Sequence, residues 1–403
     1  MPYPRMRAMF CLCVACAFTL GAATVSAQDA QRLHRDAVVV DGHNDILSRV
    51  LKGARMDVRG NTGQSDLPRF GEGALDVQVF SVYVHPSKAG EEGWLAGLAQ
   101  IDSLRALASR APERLAIVTD GRGVDEALRR SALAAIIGLE GALLIDGRAD
   151  RLRALHARGL RVFAPTWNRS SDWATSSADE AKGMAAPGLS TKGRALVRLL
   201  DTLGMLLDVS HLGTRSIEDA LRETRNPVIA SHSSCAALRP HHRNLSDEQL
   251  RAIAARGGVV MINFFPPYIR ANVDKNTKRA LARACKELDA LARRFKRSDA
   301  RFLAAFDAAI DRAARRGIPT LRDVADHIDH AVRVMGAAHV GLGSDFDGID
   351  HAPLGLHDVT WLPLLTRELL RRGHDEEAIR GILGGNFLRV FGHVTAGTSS
   401  GNK

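Results

Sequence analysis

The chain has 403 residues, 45% of them hydrophobic and 25% charged, and carries a formal net charge of +10. These are the fractions of an ordinary globular protein with a large core, which excludes a disordered chain, and barrel folds of this length occur as one unit. The charge is local and does not mark a nucleic-acid binder. Arg5 and Arg7 open the chain, residues 270–316 hold fourteen Lys or Arg against six Asp or Glu, and the remainder balances. That basic segment reads as a solvated helix face. Its Phe295, Phe302 and Phe306 recur at a helical spacing suited to packing rather than to stacking bases.

In chain order, the first element is a leader. Residues 8–25 are uncharged and rich in Ala, Cys, Leu and Phe, and Val25-Ser26-Ala27 supplies the small residues of a cleavage site before Gln28. The pattern predicts a signal peptide over 1–27. An uncleaved anchor is the competing reading, since the run nearly spans a bilayer, but no stop-transfer charges follow it. A lipoprotein attachment at Cys16 fits less well, because the apolar run continues past it. Cleavage removes Cys11, Cys13 and Cys16 and leaves Cys235 and Cys285, too few for a disulfide scaffold; their spacing does not say whether they pair.

Short apolar runs rich in β-branched residues then alternate with helical patterns. The predicted strands are 37–40, 77–84, 134–139, 160–164, 205–209, 227–231, 258–263 and 340–344. The segments 93–108, 193–203 and 247–255 carry apolar residues at 3.6 spacing, and Ser246 precedes acidic first-turn residues as a cap should. Eight strands alternating with helices predict a (β/α)8 TIM barrel. Val259-Val260-Met261-Ile262 is apolar on both faces, as a buried parallel strand should be. Residues 271–318 are too long for a loop between the seventh and eighth predicted strands and read as a helical insertion of two amphipathic helices. One domain over 28–394 is expected, followed by a polar tail, 395–403, without the apolar stretch a lipid-anchor signal needs. The product is expected in the periplasm or outside the cell, with no membrane span once the leader is removed.

Five potential ligands fall just past four predicted strands: His43 and Asp45, Glu140, His211 and His232. In a TIM barrel the C-terminal strand ends share one mouth, so residues far apart in sequence converge there. Three imidazoles and two carboxylates form a nitrogen/oxygen set for zinc or a similar ion. Five ligands exceed the need of one open tetrahedral zinc and suit two ions if one carboxylate bridges, an arrangement that lowers the pKa of a shared water and polarises a carbonyl. Asp345, in Gly343-Ser344-Asp345-Phe346-Asp347-Gly348, is the first charge on the eighth strand. It is placed to move a proton, or merely to order the following loop. His327 and His330, with Asp329, lie before the eighth strand and read as structural. No nucleophile elbow, P-loop or dinucleotide fingerprint is present.

The residues DGHND, GLEGA, DVSHLG, SHSS followed by HHRN, NFFPPY and GLGSDFDG resemble the membrane (renal) dipeptidases, zinc metallopeptidases of the amidohydrolase-like barrel class, over roughly residues 38–391. The resemblance implies two zinc ions: His43 and Asp45 on the first, Glu140 bridging, and His211 and His232 on the second. It also implies that Asp345 handles the proton and meets the substrate amine, that Arg243 grips the substrate carboxylate, and that Tyr268 lines the pocket. The implied substrate is a dipeptide with free ends, including one with a C-terminal D-residue, and a homodimer is implied as well. The sequence departs from the family pattern at Pro165, which stands where a substrate-binding histidine is expected after the fourth predicted strand. Trp167 and Asn168 are the nearby candidates to replace it. Two other readings stay open at this point. One is another barrel amidohydrolase, although those begin with HxH and bridge their metals with a modified lysine. The other is a secreted metal-containing binding protein with little turnover.

Overall fold

The computed structural model describes residues 27–88 and 90–396. The expected signal peptide therefore lies outside the described residues except for Ala27, which opens the first helix, and so does the tail from 397 onward. Thr395 and Ala396, assigned to the tail from sequence, instead complete the last helix, Asn386–Ala396.

The described strands are β1 (Val40–Asn44), β2 (Val77–Tyr83), β3 (Leu115–Ile117), β4 (Leu133–Glu140), β5 (Leu160–Ala164), β6 (Leu206–Leu207), β7 (Ile229–Ala230), β8 (Val259–Asn263) and β9 (Val340–Gly343). All their pairings are parallel. One sheet runs β1-β2-β4-β5-β6 and the other β7-β8-β9. Single parallel bridges, Asp208 to Ile229 and Asn44 to Phe346, join them at both seams and close an eight-stranded barrel. β3 is additional. It takes one edge of β4 from Leu133 to Ala135, before β5 occupies that edge from Ile137. A three-residue strand is too short to show periodicity. The helical insertion expected between the seventh and eighth strands accordingly lies between β8 and β9.

Alternation along the strands sorts the core into two layers. Val40, Val77, Val79, Ala134, Ile136, Val162, Leu206, Ile229, Val259 and Met261 share one buried cluster with Phe387, Val390 and Phe391 of the last helix. The intervening residues, among them Phe80, Ile137, Phe163 and Ile262, join the larger cluster beneath the surrounding helices. Each such aliphatic side chain contributes about 1.5–3 kcal/mol on burial. β1 begins three residues later than its hydropathy suggests, and the polar run Val40–Asn44 is itself fully buried strand. Gly42 permits this: a Cβ there would sit 2.5 Å from Met261 Sδ and 2.7 Å from the Ser231 carbonyl.

The insertion consists of the helices Lys275–Arg294 and Ala300–Arg315, after which Leu321–Met335 leads into β9. Leu281, Leu288, Phe302, Phe306 and Ile310 bury its inner face. Phe302 and Phe306 meet Trp361 at 6.2 Å each, so these aromatics pack rather than offer a surface. Phe295 is covered by the guanidiniums of Arg294 and Arg301. No helix among the described residues is long and apolar enough to cross a membrane.

Candidate metal centre

Strand ends bring the expected ligands to one place. His43 lies within β1, Asp45 follows it, and Glu140 is the last residue of β4. His211 and His232 come shortly after β6 and β7, and Asp345 follows β9. All but Asp345 are buried. Glu140 faces both sides: Oε2 is 3.8 Å from His43 Nε2, while Oε1 is 2.9 Å from His211 Nε2 and 3.3 Å from His232 Nε2. Asp45 Oδ2 is 3.3 Å from His43 Nε2, and the Nε2 atoms of His211 and His232 are 3.1 Å apart. Two ligand groups result, His43–Asp45–Glu140 and Glu140–His211–His232, and a third combines His43, His232 and Asp345.

The electrostatics of the cluster call for cations. Burial opposes the charged form of His43, yet Asp45 and Glu140 outweigh it and push the imidazole up to about 10. Burial raises Glu140 well above the usual carboxylate range. It lowers His211 and His232 well below theirs, aided by Arg243 and His43, so both are neutral imidazoles with a lone pair to offer. His43 Nε2 and Asp45 Oδ1 are buried without a hydrogen-bond partner. Buried polar atoms left without partners between carboxylates and imidazoles suit a divalent ion, which would take the place of the proton on His43.

A second layer fixes the rings. His211 Nδ1 donates to Asn168 Oδ1 at 3.0 Å, leaving Nε2 free to ligate. His232 Nδ1 donates to Ser231 Oγ at 2.7 Å, and that hydroxyl donates to Asp208 Oδ2 at 2.5 Å. Asp208 Oδ1 accepts the amides of Ser210 and Ser231, each at 2.9 Å. Asp41 does the same across the other seam, accepting the Ser344 amide at 2.7 Å and its hydroxyl at 2.6 Å. Burial pushes the Asp41 carboxyl up to about 6 despite these bonds. Asn263 Nδ2 donates to Asp345 Oδ2 at 3.0 Å. Sequence reasoning assigned no role to Asp41, Asp208 or Asn263. Their available signal was a polar residue inside or at the end of a buried strand.

His211 and Asp345 both hold left-handed backbone, at φ 67° and 63°. Such strain in non-glycine residues persists where surrounding bonds over-determine it, commonly at functional sites. Ordering the β9 loop falls to Asp347, which accepts from Arg49 Nη1 at 2.5 Å, from the Gln64 amide at 2.9 Å, and from the Ser65 hydroxyl. Asp345 is left facing the cage.

Arg243 is buried beside it. Nη2 donates to the His232 carbonyl at 2.9 Å and Nη1 to Ser233 Oγ at 3.3 Å, while Nε has no partner. The guanidinium lies 5.6 Å from the Tyr268 ring, which packs on His241 at 4.6 Å. His242 Nδ1 meets Ser177 Oγ at 3.1 Å. On the other flank, Trp167 stands between Tyr83 at 5.0 Å and His211 at 6.3 Å. Pro165 offers only its carbonyl, to Ser171 Oγ at 2.9 Å, and the Asn168 amide oxygen is engaged by His211. The motif that resembles a metal site lies elsewhere: His327 bonds the Cys235 amide and the Ile269 carbonyl, and His330 bonds Asp247.

Residues 27–402 match the family model described as membrane dipeptidase, peptidase family M19. The chain belongs to that family. It is 32% identical over 372 residues to the dipeptidase aclJ of Aspergillus oryzae, covering 88% of this chain and 78% of that one. The probable dipeptidase PvdM from Pseudomonas aeruginosa superposes with a TM-score of 0.75 at 26% identity, covering 92% and 98% of the two chains. A metallopeptidase from Rhodobacter sphaeroides, solved with a phosphinate mimic of the dipeptide L-Ala-D-Ala, gives 0.70 at 26% identity, covering 88% and 98%. The protein is thus a metallo-dipeptidase, a hydrolase of peptide bonds on a TIM-barrel-like scaffold.

Proposed function

We propose that this dipeptidase holds two zinc ions, one on His43 and Asp45 and one on His211 and His232, with Glu140 shared between them. The observation that carries the reading is the division of Glu140, whose two oxygens face the two histidine groups separately. Bound there, the ions would polarise the scissile carbonyl and lower the pKa of the attacking water.

The chain's own residues set the rest. Arg243 presents a desolvated guanidinium with an unpartnered Nε, suited to the substrate carboxylate, and Tyr268 supports it from the side. Asp345, held above the usual carboxylate range by desolvation and by the Asp45 charge, is placed to exchange a proton with the attacking water. It takes one from the water, returns it to the leaving amine, and faces the substrate's free amino end. Trp167 and Tyr83 wall the side where Pro165 brings no donor, so the developing oxyanion is expected to rely on the cage itself.

The substrate is a dipeptide with both ends free, including one with a C-terminal D-residue. The relative solved with an L-Ala-D-Ala mimic supports the stereochemical part. Metal analysis should return two zinc ions per chain. L-Xaa-L-Xaa and L-Xaa-D-Xaa dipeptides should be cleaved, while N-acetylated or C-amidated versions should resist. One ion per chain, or equal turnover of blocked substrates, contradicts the reading. We also propose export with removal of residues 1–27, checked by N-terminal sequencing of the mature protein.

A further inference from the structure

The two helices of the insertion turn one side to the barrel and a cationic side to solvent. Lys275, Arg279, Arg283, Lys286 and Arg293 are exposed. At about 100° per residue they fall within a sector of about 80° along Lys275–Arg294. The buried Leu281 and Leu288 lie on the opposite side, with Asp289, which bonds His357. Ala300–Arg315 repeats the pattern: Ala304, Ala308, Arg312 and Arg315 form one exposed stripe, opposite the buried Phe306, Ile310 and Ala313. Both inner faces rest on the same body, so the two stripes look outward together.

A merely solvated helix face mixes charges of both signs. Here the acids of the insertion are engaged elsewhere. Asp274 accepts the Thr277 amide at 2.7 Å, Asp299 pairs with Arg301, Asp307 with Arg367 and Asp311 with Arg322. Glu287 alone accompanies the cations. The ion pairs on basic residues of the insertion go to Arg270, Lys278 and Arg301, and among the described residues none involves the stripe cations. Like charges one turn apart, as in Lys275, Arg279 and Arg283, repel and weaken a helix. An anionic surface relieves that repulsion.

The shape of the face selects among anionic partners. A single-stranded polyanion is held in a groove with aromatic rings beneath its bases. These stripes are convex, and Phe295 is covered by Arg294 and Arg301. Among the described residues the exposed large hydrophobic side chains all lie outside the insertion, so nothing is offered for burial among acyl chains. What remains is a cationic plane two helices wide and roughly 30 Å long, suited to an array of phosphate headgroups. Lys278 on the same helix pairs with Asp350, in the loop after β9, at 3.6 Å. The plane therefore lies alongside the mouth of the barrel.

We propose that the outer face of the insertion docks the enzyme on a bilayer surface rich in anionic phospholipid, by electrostatic attraction without insertion. The test is co-sedimentation of the metal-loaded full chain with phosphatidylcholine vesicles containing about 30 mol% phosphatidylglycerol, against vesicles of phosphatidylcholine alone. At about 0.1 M salt the anionic vesicles should bind at least about 10-fold more tightly, and about 1 M salt should abolish the difference. Arg279→Gln with Arg283→Gln and Lys286→Gln should weaken binding on the order of 10²-fold while free dipeptides are hydrolysed as before. Should that variant misfold, Arg312→Gln with Arg315→Gln takes its place, with a loss of about 30-fold. Arg122→Gln with Arg129→Gln and Arg130→Gln removes the same charge from exposed positions elsewhere and should bind as the wild type. An equal loss in that control assigns the attraction to net charge and overturns the proposal. Equal binding to both vesicles also overturns it, as does retention on polyphosphate or DNA without binding to the anionic vesicles.

Discussion

The barrel builds its mouth in two different ways. From β1 to β5 the ladder does the placing: His43 is a strand residue, and Glu140 ends an eight-residue strand in register with Tyr83 on one side and Ala164 on the other. At β6 and β7 the strands are two residues long, and His211 and His232 stand beyond them, His211 on left-handed backbone. There a buried carboxylate substitutes for the missing ladder, because Asp208 collects two amides and a hydroxyl that orients His232. Regular hydrogen bonding positions a ligand without special side chains. A short strand needs a dedicated polar network to reach the same precision, and such networks are costly when half satisfied.

The widest test of that contrast is Glu140→Gln, which alters the carboxylate whose two oxygens face the histidines of both arcs. Hydrolysis should fall on the order of 10³-fold and metal content should drop, with far-UV circular dichroism retained. Asp208→Asn comes next. An amide there turns N–H groups toward the donors of Ser210 and Ser231, and metal affinity or activity should fall about 10–100-fold in a metal titration. Gly42→Ala probes the ladder arc instead. The added methyl meets Met261 and the Ser231 carbonyl, so denaturant unfolding should show a loss of about 1–3 kcal/mol. The smallest effect is expected for Asn168→Ala, which frees one ring of the pair, at about 10-fold in activity. If Asn168→Ala exceeds Asp208→Asn, the short-strand arc does not depend on its carboxylate and the comparison fails.

The same division explains what the sequence made legible. β2, β4, β5, β8 and β9 were readable because their apolar residues are continuous or alternate, the short β6 and β7 lay inside the apolar runs 205–209 and 227–231, and Glu140, His211 and His232 were found by following β4, β6 and β7 to their ends. β1 was misplaced by three residues because DGHN is polar, although its polar groups are spent inside the barrel on Ser344 and on the cage. β3 escaped because three residues carry no period. Asp41, Asp208 and Asn263 were visible as letters, but a sequence pattern reports burial and not partners. Only the fold shows that Asp208 addresses Ser231, 23 residues on, or that Asp41 addresses Ser344, 303 residues on. The insertion was legible as two helices with an apolar stripe, whereas the bond from His357 to Asp289 depends on how the chain returns after β9.

Asp41 and Asp208 also sit at the two places where the sheets meet, Asp41 bonding across the β9–β1 seam and Asp208 bridging β6 to β7. Closing the barrel and holding the cage thus draw on the same two carboxylates. Thermal denaturation becomes a gauge of metal occupancy. Free metal at 100 times its dissociation constant would add about 2.7 kcal/mol to the folded state, and a chelator should lower the melting temperature by loosening both seams together.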